Sequence, residues 1–81
     1  MNTTYYKYAT YFLAINDAGD FIDIDPTSDP KVMTVGNNID LQKCTAEQAA
    51  NGEIDQISFE HFKSAYNLYN AHVQTAINKL V

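Results

Sequence analysis

Eighty-one residues carrying ten acids, five lysines and no arginine give this chain a net charge of −5. Arginine's planar fork is the usual reader of phosphate and guanine, and Lys7, Lys31, Lys43, Lys63 and Lys79 form no basic stripe, so duplex nucleic-acid and anionic-membrane binding are disfavoured. A domain of this size buries only a little over ~60% of its unfolded surface. The single cysteine, Cys44, cannot form an intrachain disulfide, so a second chain is the expected source of further burial.

The start, Met1-Asn2-Thr3-Thr4, has neither a basic nor an apolar leader pattern, and no apolar run approaches ~20 residues. With one lone thiol, this predicts a soluble cytoplasmic protein. A hydrophobic content of 46% argues against a disordered acidic tail.

In chain order, Tyr5, Tyr8, Phe12 and Ile15 would fit a helix stripe, but Thr3 to Ile15 is rich in tyrosine, threonine and aliphatic residues, which favours one long strand with apolar mass on both faces. Asn16-Asp17-Ala18-Gly19-Asp20 reads as a turn, and Phe21 to Asp25 as the returning strand. Pro26-Thr27-Ser28-Asp29-Pro30 breaks the sheet. Lys31–Val35 and Ile39–Lys43, flanking Gly36-Asn37-Asn38, predict a second hairpin. Thr45-Ala46-Glu47-Gln48 matches a capping box, with Gly52 placed to end a short helix.

The last segment is the most informative. Phe59, Phe62, Tyr66, Tyr69, Val73, Ala76 and Leu80 follow a 3-4-3-4-3-4 spacing, the stripe of one long amphipathic helix. Ser58 is its expected N-cap, Glu60 lies in its first turn, and Ile57 and Phe62 sit at the positions of a hydrophobic staple. The predicted fold is α+β: a small antiparallel meander of three to four strands packed against this helix, with a short helix before it. Part of the long helix is expected to cover the sheet and the rest to pair with another copy, through Phe62, Tyr66, Tyr69, Val73 and Leu80.

Asp23-Ile24-Asp25-Pro26-Thr27, after Phe21 and Ile22, resembles the nucleophile motif of haloacid dehalogenase-like phosphatases. In that family the first Asp attacks phosphorus and the second is acid and base. The resemblance covers seven residues, and the chain is too short for the family's parallel sheet with its lysine and second acidic motif. An edge strand with outward carboxylates is the simpler expectation.

Asp17, Asp20, Asp23, Asp25 and Asp29 fall within thirteen residues. As a calcium loop the run fails, because Ser28 replaces the central glycine and Thr34 the bidentate acid. It therefore predicts a solvated acidic rim suited to a partner with a basic surface. His61 and His72 would lie about 16 Å apart along one helix and cannot share a metal. Cys44 is expected to be semi-buried and structural.

These readings predict no catalytic residue, no metal and no cofactor. The expected function is a small acidic, non-enzymatic protein-interaction module of the accessory or inhibitory kind that phages and mobile elements carry, acting on a host protein. Its partner or ligand contacts are expected at Tyr6, Tyr8, Asp20, Asp23 and Asp25. Two alternatives are an oligomer that sequesters a small ligand, such as a nucleotide second messenger, in tyrosine-lined pockets between chains, and a structural assembly subunit.

Overall fold

The structure, a computed structural model, describes residues 2–28 and 31–80. The Asp29-Pro30 end of the expected sheet break lies outside the described residues. The fold is α+β: strands β1 (Thr3–Tyr8), β2 (Tyr11–Asn16), β3 (Asp20–Asp25) and β4 (Val32–Asn37), helix α1 (Ile39–Ala50), strand β5 (Asp55–Ile57) and helix α2 (Phe59–Leu80). All five strands form one antiparallel sheet in the order β4-β3-β2-β1-β5. β3 is therefore internal, not the edge strand expected for Phe21–Asp25.

The single long strand expected over Thr3–Ile15 is instead a hairpin, turning at Ala9-Thr10 with Tyr8 opposite Tyr11. Ala9 takes φ 50°, a left-handed value at the turn position where glycine is customary. No turn residue marks the site. The parity of the apolar residues does change there. Tyr6 and Tyr8 in β1 share a face with Tyr11, Leu13 and Ile15 in β2, which explains why an uninterrupted strand seemed apolar on both sides.

Ile39–Lys43 is helix, not strand. Asn38 has an extended backbone at φ −155°, and its side chain accepts a hydrogen bond from the Leu41 amide at 3.0 Å, so the expected turn residue is an N-cap. Leu41, Thr45 and Ala49 recur every four residues on one face of α1. Thr45 is not a cap but a buried mid-helix residue whose hydroxyl donates to the carbonyls of Leu41 and Gln42. Gly52 does end the helix: at φ +76° its amide bonds to Ala49 O while Glu53 N bonds to Gln48 O, a Schellman motif. Ser58 Oγ accepts from His61 N at 3.1 Å, capping α2 as expected.

The sheet is the middle of three layers. On one face Tyr6, Leu13 and Ile15 are buried and pack with Tyr8, Phe21, Leu41, Ala49 and Ile54, which places α1 there. The opposite face carries Tyr5, Phe12 and Ile24 and is covered by the start of α2. Tyr5 lies 5.5 Å from both Phe59 and Phe62, ring centre to ring centre, and Phe12 lies 5.7 Å from His61. Leu13 and Ile24, the two fully buried large side chains, anchor the two half-cores. Each contributes roughly 1.5–3 kcal/mol by burial.

Candidate functional site

Two regions carry chemistry or contact surface beyond these cores. The first lies on the α1 face at the Ala9 end of the sheet. Tyr8 reaches across β2 and donates its hydroxyl to Asp23 Oδ2 at 2.7 Å, with its ring stacked on Tyr11 at 5.2 Å. Asp23 Oδ1 is buried without a hydrogen-bond partner. Burial outweighs the Tyr8 hydrogen bond and raises the Asp23 carboxyl above its ordinary value. Burial, and then the Asp23 carboxylate, push the Tyr8 phenol well up in turn.

Asp25, on the same face, is 6% exposed. Its carboxylate accepts from Thr10 Oγ1 at 2.9 Å, Thr27 N and Oγ1 at 3.2 Å, and Ser28 N at 3.1 Å. Burial works against its charge, yet these donors hold its carboxyl below the ordinary range. The arrangement is an Asx turn, legible after the fact in Asp25-Pro26-Thr27-Ser28. Sequence reasoning did not single out Thr10, and it met Thr27 and Ser28 only in the phosphatase-like motif and the calcium-loop comparison, not as donors to Asp25.

The expected acidic rim is thus divided. Asp23 and Asp25 face inward and are engaged within the chain. Asp20 is exposed and accepts from Asn37 at 2.8 Å and Asn16 at 3.3 Å, which lower its carboxyl. Asp17 is exposed, and Asp29 lies outside the described residues. Among the described residues no three His, Cys, Asp or Glu side chains stand together as a metal site. Cys44 is exposed, not semi-buried.

The tyrosines do not share one platform. Tyr6 is 5% exposed and belongs to the core, so it offers no surface to a ligand. Tyr5 packs under α2, Tyr8 and Tyr11 stack on the other face, and Tyr66 and Tyr69 lie further along α2.

The second region is the distal part of α2. Phe62 and Ala65 are its buried residues, so Phe62, expected at an oligomer interface, is core. Beyond Ala65 no residue of the described helix is buried. Tyr66, Leu68, Ile77 and Leu80 are 43, 53, 46 and 86% exposed, with Tyr69 and Val73 half-buried between them. Twenty-two residues make a helix about 33 Å long. The molecule measures 45 × 22 × 21 Å.

Beside the seat of α2, toward the Thr3 and Gly36 end of the same face, an open groove of about 460 Å³ is lined by Thr3, Ala14, Ile22, Val35 and Gly36 among others. Val35 is 68% exposed. No helix of the described residues is long and apolar enough to cross a membrane. Comparison with protein-family models, with curated proteins and with solved structures gives no match.

Proposed function

We propose that this protein is a small acidic, non-enzymatic interaction module of the cytoplasm, acting by docking on a protein surface through the projecting half of α2. The observation that carries this reading is the exposure of Tyr66, Ile77 and Leu80, on one stripe with the half-buried Tyr69 and Val73, along the part of the helix that lies beyond its last buried residue. A globular helix ordinarily turns its apolar side inward. A contiguous apolar run on a projecting element is the mark of partner contact, and anchors spaced by three and four residues are the pattern by which helices enter grooves or pair. An accessory or inhibitory protein works in this way, by occupying a surface and not by chemistry. The acidic contribution to docking falls to Asp17 and Asp20, since Asp23 and Asp25 are engaged internally.

The test is site-specific photo-crosslinking in cells that naturally carry the protein. A benzophenone side chain replacing Leu80 is expected to give discrete protein adducts, of any identity, whereas the same group replacing exposed Glu47 on α1 is not. Equal, weak labelling from both positions would count against the reading.

A further inference from the structure

We propose that the occupant of the projecting half of α2 is a second copy of this chain, paired antiparallel about Val73 so that each helix tip lies over the partner's open groove. This rests on the interaction reading above and gives its partner a definite chemistry. Three observations on different scales converge on it.

The first is charge. All ten acids lie at or before Glu60, whereas the helix beyond Glu60 carries Lys63 and Lys79, two histidines and no acid. The molecule is thus an acidic body with a mildly basic tip. Parallel pairing would set Lys79 against Lys79 and crowd two acidic bodies at one end. Antiparallel pairing carries each basic tip to the partner's acidic body and separates the bodies.

The second is register. Reflection about Val73 sets Tyr66 opposite Leu80, Tyr69 opposite Ile77 and Val73 opposite itself, an isologous contact using the residues that the sheet leaves open. Asn67 then stands opposite Lys79 and His72 opposite Gln74, so no two like charges meet.

The third is the groove. In this register Leu80 of one copy stands beside Tyr66 of the other, one residue beyond Ala65, the last buried position of α2 over the sheet. The groove, on the sheet face that seats α2, is walled by Ala14, Ile22 and Val35 and is open. The tip fills it with an apolar side chain. Two helical stretches of about 22 Å alone bury on the order of 1,000 Å² in total, at the small end of specific interfaces. A reversible dimer with Kd on the order of 10 µM is the expected strength.

Light scattering on size exclusion is expected to give twice the 9.1 kDa chain mass at high micromolar concentration, relaxing toward the monomer on dilution and several-fold more readily in 500 mM than in 50 mM salt. With Cys44→Ser as background, Leu80→Cys chains mixed with size-tagged Tyr66→Cys chains should form a mixed disulfide dimer under mild oxidation. Leu80→Cys alone should not cross-link to itself. The Ile77→Glu, Leu80→Glu pair, on exposed positions that leave both cores intact, should remain monomeric with an unchanged melting profile. A monomer at every concentration, or a Leu80–Leu80 disulfide, would overturn the pairing. Adducts from Leu80 to other proteins alone would overturn the pairing while leaving the interaction reading in place; no adducts at all would remove both.

Discussion

The Tyr8 hydroxyl donates to one oxygen of Asp23 at 2.7 Å while the other oxygen of that carboxylate is buried with no partner. Half of the carboxylate is therefore satisfied and half is held away from water, and burial outweighs the favourable contacts. The ionised form suffers most, which is why this carboxyl is raised. A carboxyl raised on folding favours the native state fully below its unfolded value, about 4, and loses that contribution as pH climbs through the folded value. Compared with Asp23→Asn in urea titrations, the wild type should be relatively most stable in acid and lose ground as pH rises from about 4 toward neutrality. A constant difference across that range would contradict the assignment.

Asp25 has the opposite sign. Its carboxyl is lowered, so it supports the fold above its unfolded value of about 4 and ceases to do so as pH falls through the folded value. Asp25→Asn should lower the melting temperature at pH 7 and flatten the acid limb of the stability profile. The two aspartates, two residues apart on one face, thus pull the acid profile in opposite directions, and the double variant should be less pH-dependent than either single one.

Gly19 and Gly52 both have positive φ, at +87° and +76°, but their surroundings differ. A Cβ on Gly19 would stand 2.8 Å from Ile39 N and 2.9 Å from Asn38 C, backbone atoms of the α1 start, whereas one on Gly52 meets nothing within 4 Å. Gly52→Ala should cost about 1 kcal/mol, the conformational term alone. Gly19→Ala adds a collision that only movement of the α1 start relieves, and should cost at least about 3 kcal/mol. Chemical denaturation of the two variants side by side checks the ordering; equal losses would show that α1 yields freely.

Asn38→Ala removes the acceptor for the Leu41 amide and should destabilise by about 1 kcal/mol, while Asn38→Asp or Asn38→Ser, which keep an acceptor, should retain most of the stability. Backbone amide exchange at Leu41 and Gln42 would report the fraying directly.

What could be read from the sequence follows from how local each determinant is. α2 was legible from Phe59 to Leu80 because a capping serine and a long 3-4 spacing agree, and the Gly52 stop because positive φ at a helix end selects glycine. The β1–β2 turn was not, because Ala9-Thr10 carries none of the usual turn chemistry and only the change of apolar parity marks it. Ile39–Lys43 misled because five alternating residues fit strand and helix alike, and Asn38 serves both a turn and an N-cap. β5 is three residues long and is defined by its partner β1, which no local pattern shows. The inward orientation of Asp23 and Asp25 is likewise a tertiary matter: it follows from the register that sets Asp23 opposite Leu13, on the face that α1 covers.

The seating of α2 has a mechanical side. The helix is gripped near its N-terminus, where Phe62 and Ala65 are buried and Tyr5 packs on Phe62, and its remaining fifteen or so residues, none of them buried, run on for about 22 Å. Held at one end, it is a lever arm whose fulcrum is next to the short edge strand β5. A load applied at Leu80 exerts its torque on the three residue pairs that join β5 to β1, the shortest seam in the sheet. Whatever grasps the tip pulls on the part of the fold least able to resist, and the strain registers at Asp55–Ile57 before it reaches the meander.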